Sequence, residues 1–295
     1  MDVSTSNPAI TAPPVSLQEI AKSAGDLPSI PGPAMEAMQL TQNPDVNVRA
    51  LQSIIAKDQA LTARVLKIVN SAMYNFGREV STLSHAIAIL GLDTVRSIIV
   101  AAALQQVFKP GSAAGKDLTS KLFWEHSWGA AVAAKAIAAH IGYPAPEEAF
   151  TCGLLHDMGK MVMLQNQSRR YQEILNKVYC GNETFSKAEL RVFGFSHAQV
   201  GALLALKWRF PPQLVEAILY HHGFTEAPEF RRLAAIASLA DSLMIALEIG
   251  FQKDKSLNPE EEESAKYLKL SGSVLDKLAA EVRAMVPTLT GRVQV

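Results

Sequence analysis

The chain has 295 residues, long enough for a sizeable core and one or two domains. Hydrophobic residues make up 48% and charged residues 19%, a globular composition that excludes wholesale disorder. The 28 basic and 28 acidic residues cancel, so the basic excess of a protein that grips nucleic-acid phosphates is missing and no direct nucleic-acid partner is expected.

In chain order, residues 1–15 are rich in Ser, Thr and Pro and read as a flexible tail, with no basic region leading into an apolar run and hence no signal peptide. Ser16-Leu17-Gln18-Glu19 has the form of a capping box, followed by Leu17, Ile20 and Ala24 at helical spacing. Leu27-Pro28-Ser29-Ile30-Pro31-Gly32-Pro33 is a stiff connector before a helix over 34–41. Asn47 and Asp58 are placed to cap two successive helices, with Leu51, Ile54 and Ile55 on one apolar face and Leu61, Val65, Ile68, Val69 and Ala72 on the other. After a loop at 74–77, helices are expected over 81–90, with Gly91 as a left-handed stop, and over 93–107. Residues 110–117 read as a linker between two abutting lobes, so that 16–109 forms the first, 118–250 the second and 251–295 a helical extension.

The second lobe continues with helices over 118–140, 146–164, 168–179, 186–193, 196–208, 212–222 and 231–249, then 259–268 and 272–285. Nearly every segment has period 3.6 and no alternating strand pattern is present, so the fold class is all-α. No apolar stretch reaches the ~20 residues of a membrane span, which points to a cytoplasmic protein without a membrane partner. Cys152 and Cys180 are too few for a disulfide framework or a cysteine-based zinc module and are expected to be two buried thiols.

The chemistry-bearing residues gather in the second lobe. His126 lies mid-helix, His156-Asp157 ends an apolar run before Gly159, His197 opens a helix behind Ser196, and His221-His222 close one before Gly223. Asp241 stands alone in an apolar helix, where a carboxylate is costly to bury unless it is paired or ligates metal. Imidazole and carboxylate together suit divalent iron or manganese first, with zinc or magnesium also acceptable, as one or two ions. Glu125 neighbours His126 but faces another side of the helix and is not expected to be a ligand. His140 fits a helix C-terminus and His85 a structural role.

The order His126, His156-Asp157, Asp241 resembles the signature of the HD superfamily of metal-dependent phosphohydrolases. The chain over roughly residues 16–250 is more specifically similar to an HDOD domain, a divergent branch found in bacterial signalling proteins. The resemblance is carried by Leu27-Pro28-Ser29-Ile30-Pro31, by the run from Ile55 to Leu66, by Val69-Asn70-Ser71-Ala72 and by the run from Ser84 to Gly91. It implies a regulatory protein without established catalysis, with a signalling protein or a small phosphate-bearing molecule as partner. It also implies His126, His156, Asp157, His197, His221, His222 and Asp241 as metal ligands in the order of the related HD-GYP phosphodiesterases. Lys160 falls where the HD-GYP motif has its lysine, and Gly142-Tyr143-Pro144 precedes the His-Asp pair, where it reads as a turn and not as the GYP motif. The alternative the resemblance leaves is a metal-dependent phosphohydrolase or phosphodiesterase acting on a nucleotide-type phosphate ester, with Asp157 bridging the metals and Lys160 on the phosphate.

Overall fold

The structure, a computed structural model, describes residues 17–40, 47–74, 79–108, 117–180 and 183–285. The tail 1–15, Ser16 of the capping box, the loop at 75–77 and the linker at 110–116 lie outside the described residues. Among the described residues there is no strand, and the fold is all-α.

The first half contains α1 (Leu17–Ala24), α2 (Gly32–Leu40), α3 (Val48–Ala56), α4 (Gln59–Val69), α5 (Leu83–Leu90) and α6 (Leu92–Val107). Asn47 and Asp58 cap α3 and α4, their carbonyl-type oxygens accepting the Arg49 and Leu61 backbone N–H groups at 2.9 Å. Each cap satisfies a donor that the first turn of a helix otherwise leaves without a partner. In α4 the residues buried are Leu61, Val65, Ile68 and Val69, the stripe that period 3.6 requires. α6 is buried on nearly all sides because α2, α4 and α5 pack around it from the first half and α8 from the second.

The second half runs through α7 (Asp117–His140), α8 (Pro146–Leu155), α9 (Met158–Asn166), α10 (Ser168–Tyr179), α11 (Phe185–Phe193), α12 (His197–Lys207), α13 (Pro212–Tyr220), α14 (Arg231–Ala246), α15 (Glu263–Leu268) and α16 (Gly272–Met285). Its centre is the packing of α8 and α14 on α7. Ala130, Ala131, Ala133 and Ala134 make that face of α7 thin, and α8 approaches so closely at Gly153 that a Cβ there would lie 2.5 Å from the Ala130 carbonyl oxygen. α1 returns across the chain to pack on α9 and α12. The connector behind it is held by the Trp208 indole donating to the Pro28 carbonyl at 3.0 Å.

Four expectations need correction. The helix read over 146–164 is two helices, α8 and α9, broken at His156-Asp157. Asp157 sits at φ −100° and ψ 4°, outside the helical range, and α9 leaves in a new direction to cross α12 where Gly159 meets it. Cys180 is exposed and only Cys152 is buried, because the apolar stripe of α10 is Tyr171, Ile174, Leu175 and Val178, and Cys180 falls off that face. Gly91 has φ 81° but ψ 165°, so it is not a left-handed stop but a sharp corner from which α6 starts at once. The helix read over 231–249 ends at Ala246, and Glu248 and Gly250 then take φ of 57° and 100°, turning the chain back over α7.

Candidate metal centre

Helix ends build most of this site. The last carbonyls of a helix have no intrahelical donor. At the ends of α8 and α13 a histidine fills that need: His156 Nδ1 lies 2.7 Å from the Gly153 carbonyl and His221 Nδ1 2.7 Å from the Ile218 carbonyl. A carbonyl only accepts, so each Nδ1 carries the proton and each ring is turned with Nε2 toward the interior. His126, within α7, is turned the same way by the Ile249 carbonyl at 3.3 Å from its Nδ1. His197 follows the Ser196 cap of α12, whose backbone N–H donates to the Gln199 side chain at 2.9 Å. Glu189 of α11 holds His197 twice, accepting its backbone N–H at 2.7 Å and facing its Nδ1 at 2.6 Å. Glu189 is itself fully buried and accepts from the Tyr171 hydroxyl at 2.7 Å.

The Nε2 atoms so oriented meet around two carboxylates. His126 Nε2 lies 3.3 Å from His156 Nε2, 3.0 Å from Asp241 Oδ1 and 3.4 Å from Asp157 Oδ2. His197 Nε2 lies 3.3 Å from His221 Nε2, 3.0 Å from His222 Nε2 and 3.2 Å from Asp157 Oδ1. The seven residues thus form two groups whose ligand atoms are mutually close, His126, His156, Asp157 and Asp241 in one and His197, His221 and His222 in the other. Asp157 faces both, Oδ2 toward the first and Oδ1 toward the second. All are buried except His222, which forms the solvent-facing edge.

The electrostatics follow from this crowding. Burial pushes the His156 imidazole down, but Asp157 and Asp241 outweigh it and raise its pKa to about 10. Burial raises the Asp157 carboxyl, and His156 and Lys160 more than reverse that, holding it well below the usual carboxylate range. Asp241 is held low in the same way by His126 and His156 against its burial. His221 is pushed down by burial and then by the neighbouring rings, and His222 is lowered in the same direction by the desolvation of its inner edge and by the His197 imidazole, its outer edge meeting solvent. His197 is lowered by burial but raised overall, chiefly by Glu189.

The donor set fits a divalent metal. One proton on His197 Nε2 can satisfy only one of the three acceptors around it, and the others then meet lone pair to lone pair. Asp157 Oδ1 is buried and meets only the contested His197 Nε2, at 3.2 Å and without good hydrogen-bond geometry, a costly state for a carboxylate oxygen. A cation between these atoms removes both problems, and the Nδ1 contacts are the outer supports that metal-bound histidines require.

Lys160 is buried, not solvated. Its Nζ lies 2.6 Å from Asp157 Oδ2 and 4.4 Å from the centre of the Phe185 ring. Glu125 is buried and belongs to neither ligand group, as its helix face requires. His140 ends α7 at the surface and His85 lies in α5, far along the chain from either group. Sequence reading missed Glu189. Its signal was its register: it stands among Phe185, Ala188, Val192 and Phe193 on the inward stripe of α11, where a carboxylate needs a buried partner.

An all-helical fold around a buried cluster of histidines and aspartates defines the class. The HDOD domain family matches residues 27–224, and the chain belongs to that family. An HDOD domain protein of unknown function from Geobacter sulfurreducens is 29% identical, with a TM-score of 0.81 over 92% of this chain and 96% of that one. A protein from Shewanella amazonensis SB2B, provisionally named a phosphohydrolase, is 26% identical with a TM-score of 0.74 over 92% of this chain and 97% of its own. An uncharacterised protein of Treponema pallidum (strain Nichols) is 27% identical over 220 residues, 71% of this chain but 40% of its own length. The chain therefore spans less than half the length of that relative. No described helix is long and apolar enough to cross a membrane.

Proposed function

We propose that this protein is a bacterial signalling or regulatory HDOD protein whose His/Asp cluster holds one or two divalent ions, with iron or manganese preferred. The observation that carries the reading is Asp157, whose two buried oxygens face two separate ligand groups, Oδ2 toward His126 and Oδ1 toward His197. His126, His156 and Asp241 would share the first ion with Asp157, and His197, His221 and His222 the second. A signalling protein or a small phosphate-bearing molecule would be its partner, in the cytoplasm.

A second reading, a phosphohydrolase or phosphodiesterase, draws support from the name of the Shewanella protein and from Lys160 beside Asp157. A bound divalent ion would supply an acidified water and polarise a phosphoryl oxygen. Two features of this chain weigh against that reading. Lys160 is already committed to Asp157, and the space it shares with His126, Asp157 and Asp241 is walled by Phe123, Phe185 and Phe251 and has a volume of about 10 Å³. That is room for about one water and not for a phosphate ester.

Elemental analysis of protein purified without chelator tests the reading, together with Asp157→Ala and assays on cyclic dinucleotides and an aryl phosphodiester. The expected result is stoichiometric metal in the wild type, its loss in Asp157→Ala with helicity retained, and no metal-dependent turnover. Absence of metal that cannot be restored by addition sinks the ligand assignment. Robust turnover abolished by Asp157→Ala replaces the regulatory reading with the enzymatic one.

A further inference from the structure

Away from the metal centre, and sharing no residue with it, a cleft of about 450 Å³ opens between α2, α6, α8 and α13. That is the size of a small-molecule site. One wall is apolar, built by Phe210, Leu214, Val100 and flanking prolines. The rest of the lining is mostly polar or charged. Glu147 accepts from Thr94 at 2.8 Å and pairs with Lys135, so its charge is answered from behind. Arg96 leans on the exposed Asp93 at 3.4 Å. Glu148 differs from both: its oxygens accept from the Tyr143 hydroxyl and the Gln213 amide, each at 2.8 Å, and both donors are neutral. Among the described residues its charge has no ion-pair partner within 4 Å. Its influence is felt nearby, since burial and then Glu148 push the Tyr143 phenol and the Cys152 thiol up. Two further lining atoms, Glu147 Oε2 and Arg96 Nε, are buried without hydrogen-bond partners. With Asp93 paired to Arg96 and Glu147 to Lys135, Glu148 is the carboxylate of this lining met only by neutral donors, and it stands beside an aromatic and aliphatic face together with polar atoms still short of partners.

We propose that this cleft is a binding site for a small organic cation, an amine or amidine carried on an apolar body. Its charge would answer Glu148, with Asp93, already paired to Arg96, a weaker attraction at the rim, while its apolar part covers Phe210 and Leu214. The location gives such a ligand a consequence. α8 and α13 line the cleft with their N-terminal ends, and their other ends carry His156-Asp157 and His221-His222. A ligand wedged here thus contacts the two helices that deliver four residues of the metal cluster, roughly 15 Å away along a ten-residue helix.

Three probes of one shape separate charge from fit: benzamidine, benzamide and benzoate, titrated into the full chain by calorimetry or NMR in the presence of chelator, so that no metal takes part. Benzamidine should bind saturably and at least tenfold more tightly than the neutral or anionic probe. Glu148→Gln keeps the side-chain shape, removes the charge and should bring benzamidine down to the affinity of benzamide, while Asp93→Asn, at the exposed rim, should weaken it less. Thermal melts of both variants check the fold. The proposal is overturned if benzamidine does not bind saturably, if the three probes bind alike, or if both variants melt as the wild type and bind benzamidine unchanged.

Discussion

Glu189 shows how far a single side chain's effect extends in this protein. It belongs to neither ligand group itself, yet it holds His197, which does, by backbone and ring together. Glu189→Gln removes the negative charge that both His197 N–H groups meet, so the ring is held by weaker, neutral hydrogen bonds. Supports of this kind contribute about 10–100-fold to metal affinity, and chelator competition should find a loss in that range with the fold intact. Protons compete for the same atoms. In the metal-free protein the raised pKa of His156, about 10, means that the imidazolium stays protonated between Asp157 and Asp241 at neutral pH. A raised histidine pKa contributes stability that is complete below its ordinary value near 6.5 and is lost as pH rises through about 10. The metal needs the deprotonated ring, so its apparent affinity should rise across the same window while the metal-free protein loses that contribution. Calorimetry in two buffers of different ionisation enthalpy should detect proton release on binding at pH 7. An affinity flat from pH 6.5 to 9.5 would contradict the assignment of His156.

At the scale of elements, the site depends on two close backbone approaches made possible by missing side chains. A Cβ at Gly159 would stand 2.0 Å from the His197 carbonyl oxygen and 2.8 Å from the Gly201 nitrogen, both backbone atoms of α12 that cannot move aside alone. α9 and α12 therefore meet backbone to backbone, which places Asp157, two residues before the contact, against His197 at the start of the other helix. Gly159→Ala must push the two helices apart. Overpacking of this sort costs about 1–3 kcal/mol, and chemical denaturation should report a loss of at least that size. The same displacement separates Asp157 Oδ1 from His197 Nε2, so metal affinity should fall as well, although no ligand has been replaced. Gly250 has a similar role on the far side: at φ 100° its missing side chain leaves room for His126, whose Cβ would lie 2.6 Å from an added Cβ, and lets the Ile249 carbonyl reach the ring.

For the whole molecule, the question is how much of the fold depends on the ion. The buried core is continuous from Ile20 and Leu51 in the first half through Trp128 and Phe150 to Leu239 and Val282. A core of this extent provides the main driving force for folding whether or not an ion is bound. Chelation should therefore lower the melting temperature without unfolding the helices. Mass action sets the scale: an ion at 100 times its dissociation constant stabilises the native state by about 2.7 kcal/mol. Far-UV circular dichroism should stay unchanged at 25 °C on chelation while the melting transition moves down. A collapse of helicity at that temperature would mean that the cluster organises the second half of the chain.

Much of this was legible before any coordinates. Caps at Asn47, Asp58 and Ser196, the apolar stripe of α4 and the turn at Gly142 are written in residues three or four positions apart, and local hydrogen bonds and side-chain period determine them. The five histidines and two aspartates stand out as candidate ligands from their order along the chain and its resemblance to the HD superfamily, and they meet in two adjoining groups. Three things waited for the tertiary structure. The break between α8 and α9 follows from a crossing with a helix some forty residues downstream. Glu189 becomes functional only when α11 lies beside the start of α12. The closure of the space around Lys160 by Phe123, Phe185 and Phe251 joins three segments far apart in the chain. Sequence carries what neighbours within a turn decide, and distances between elements are set only when all of them compete to bury their apolar faces at once.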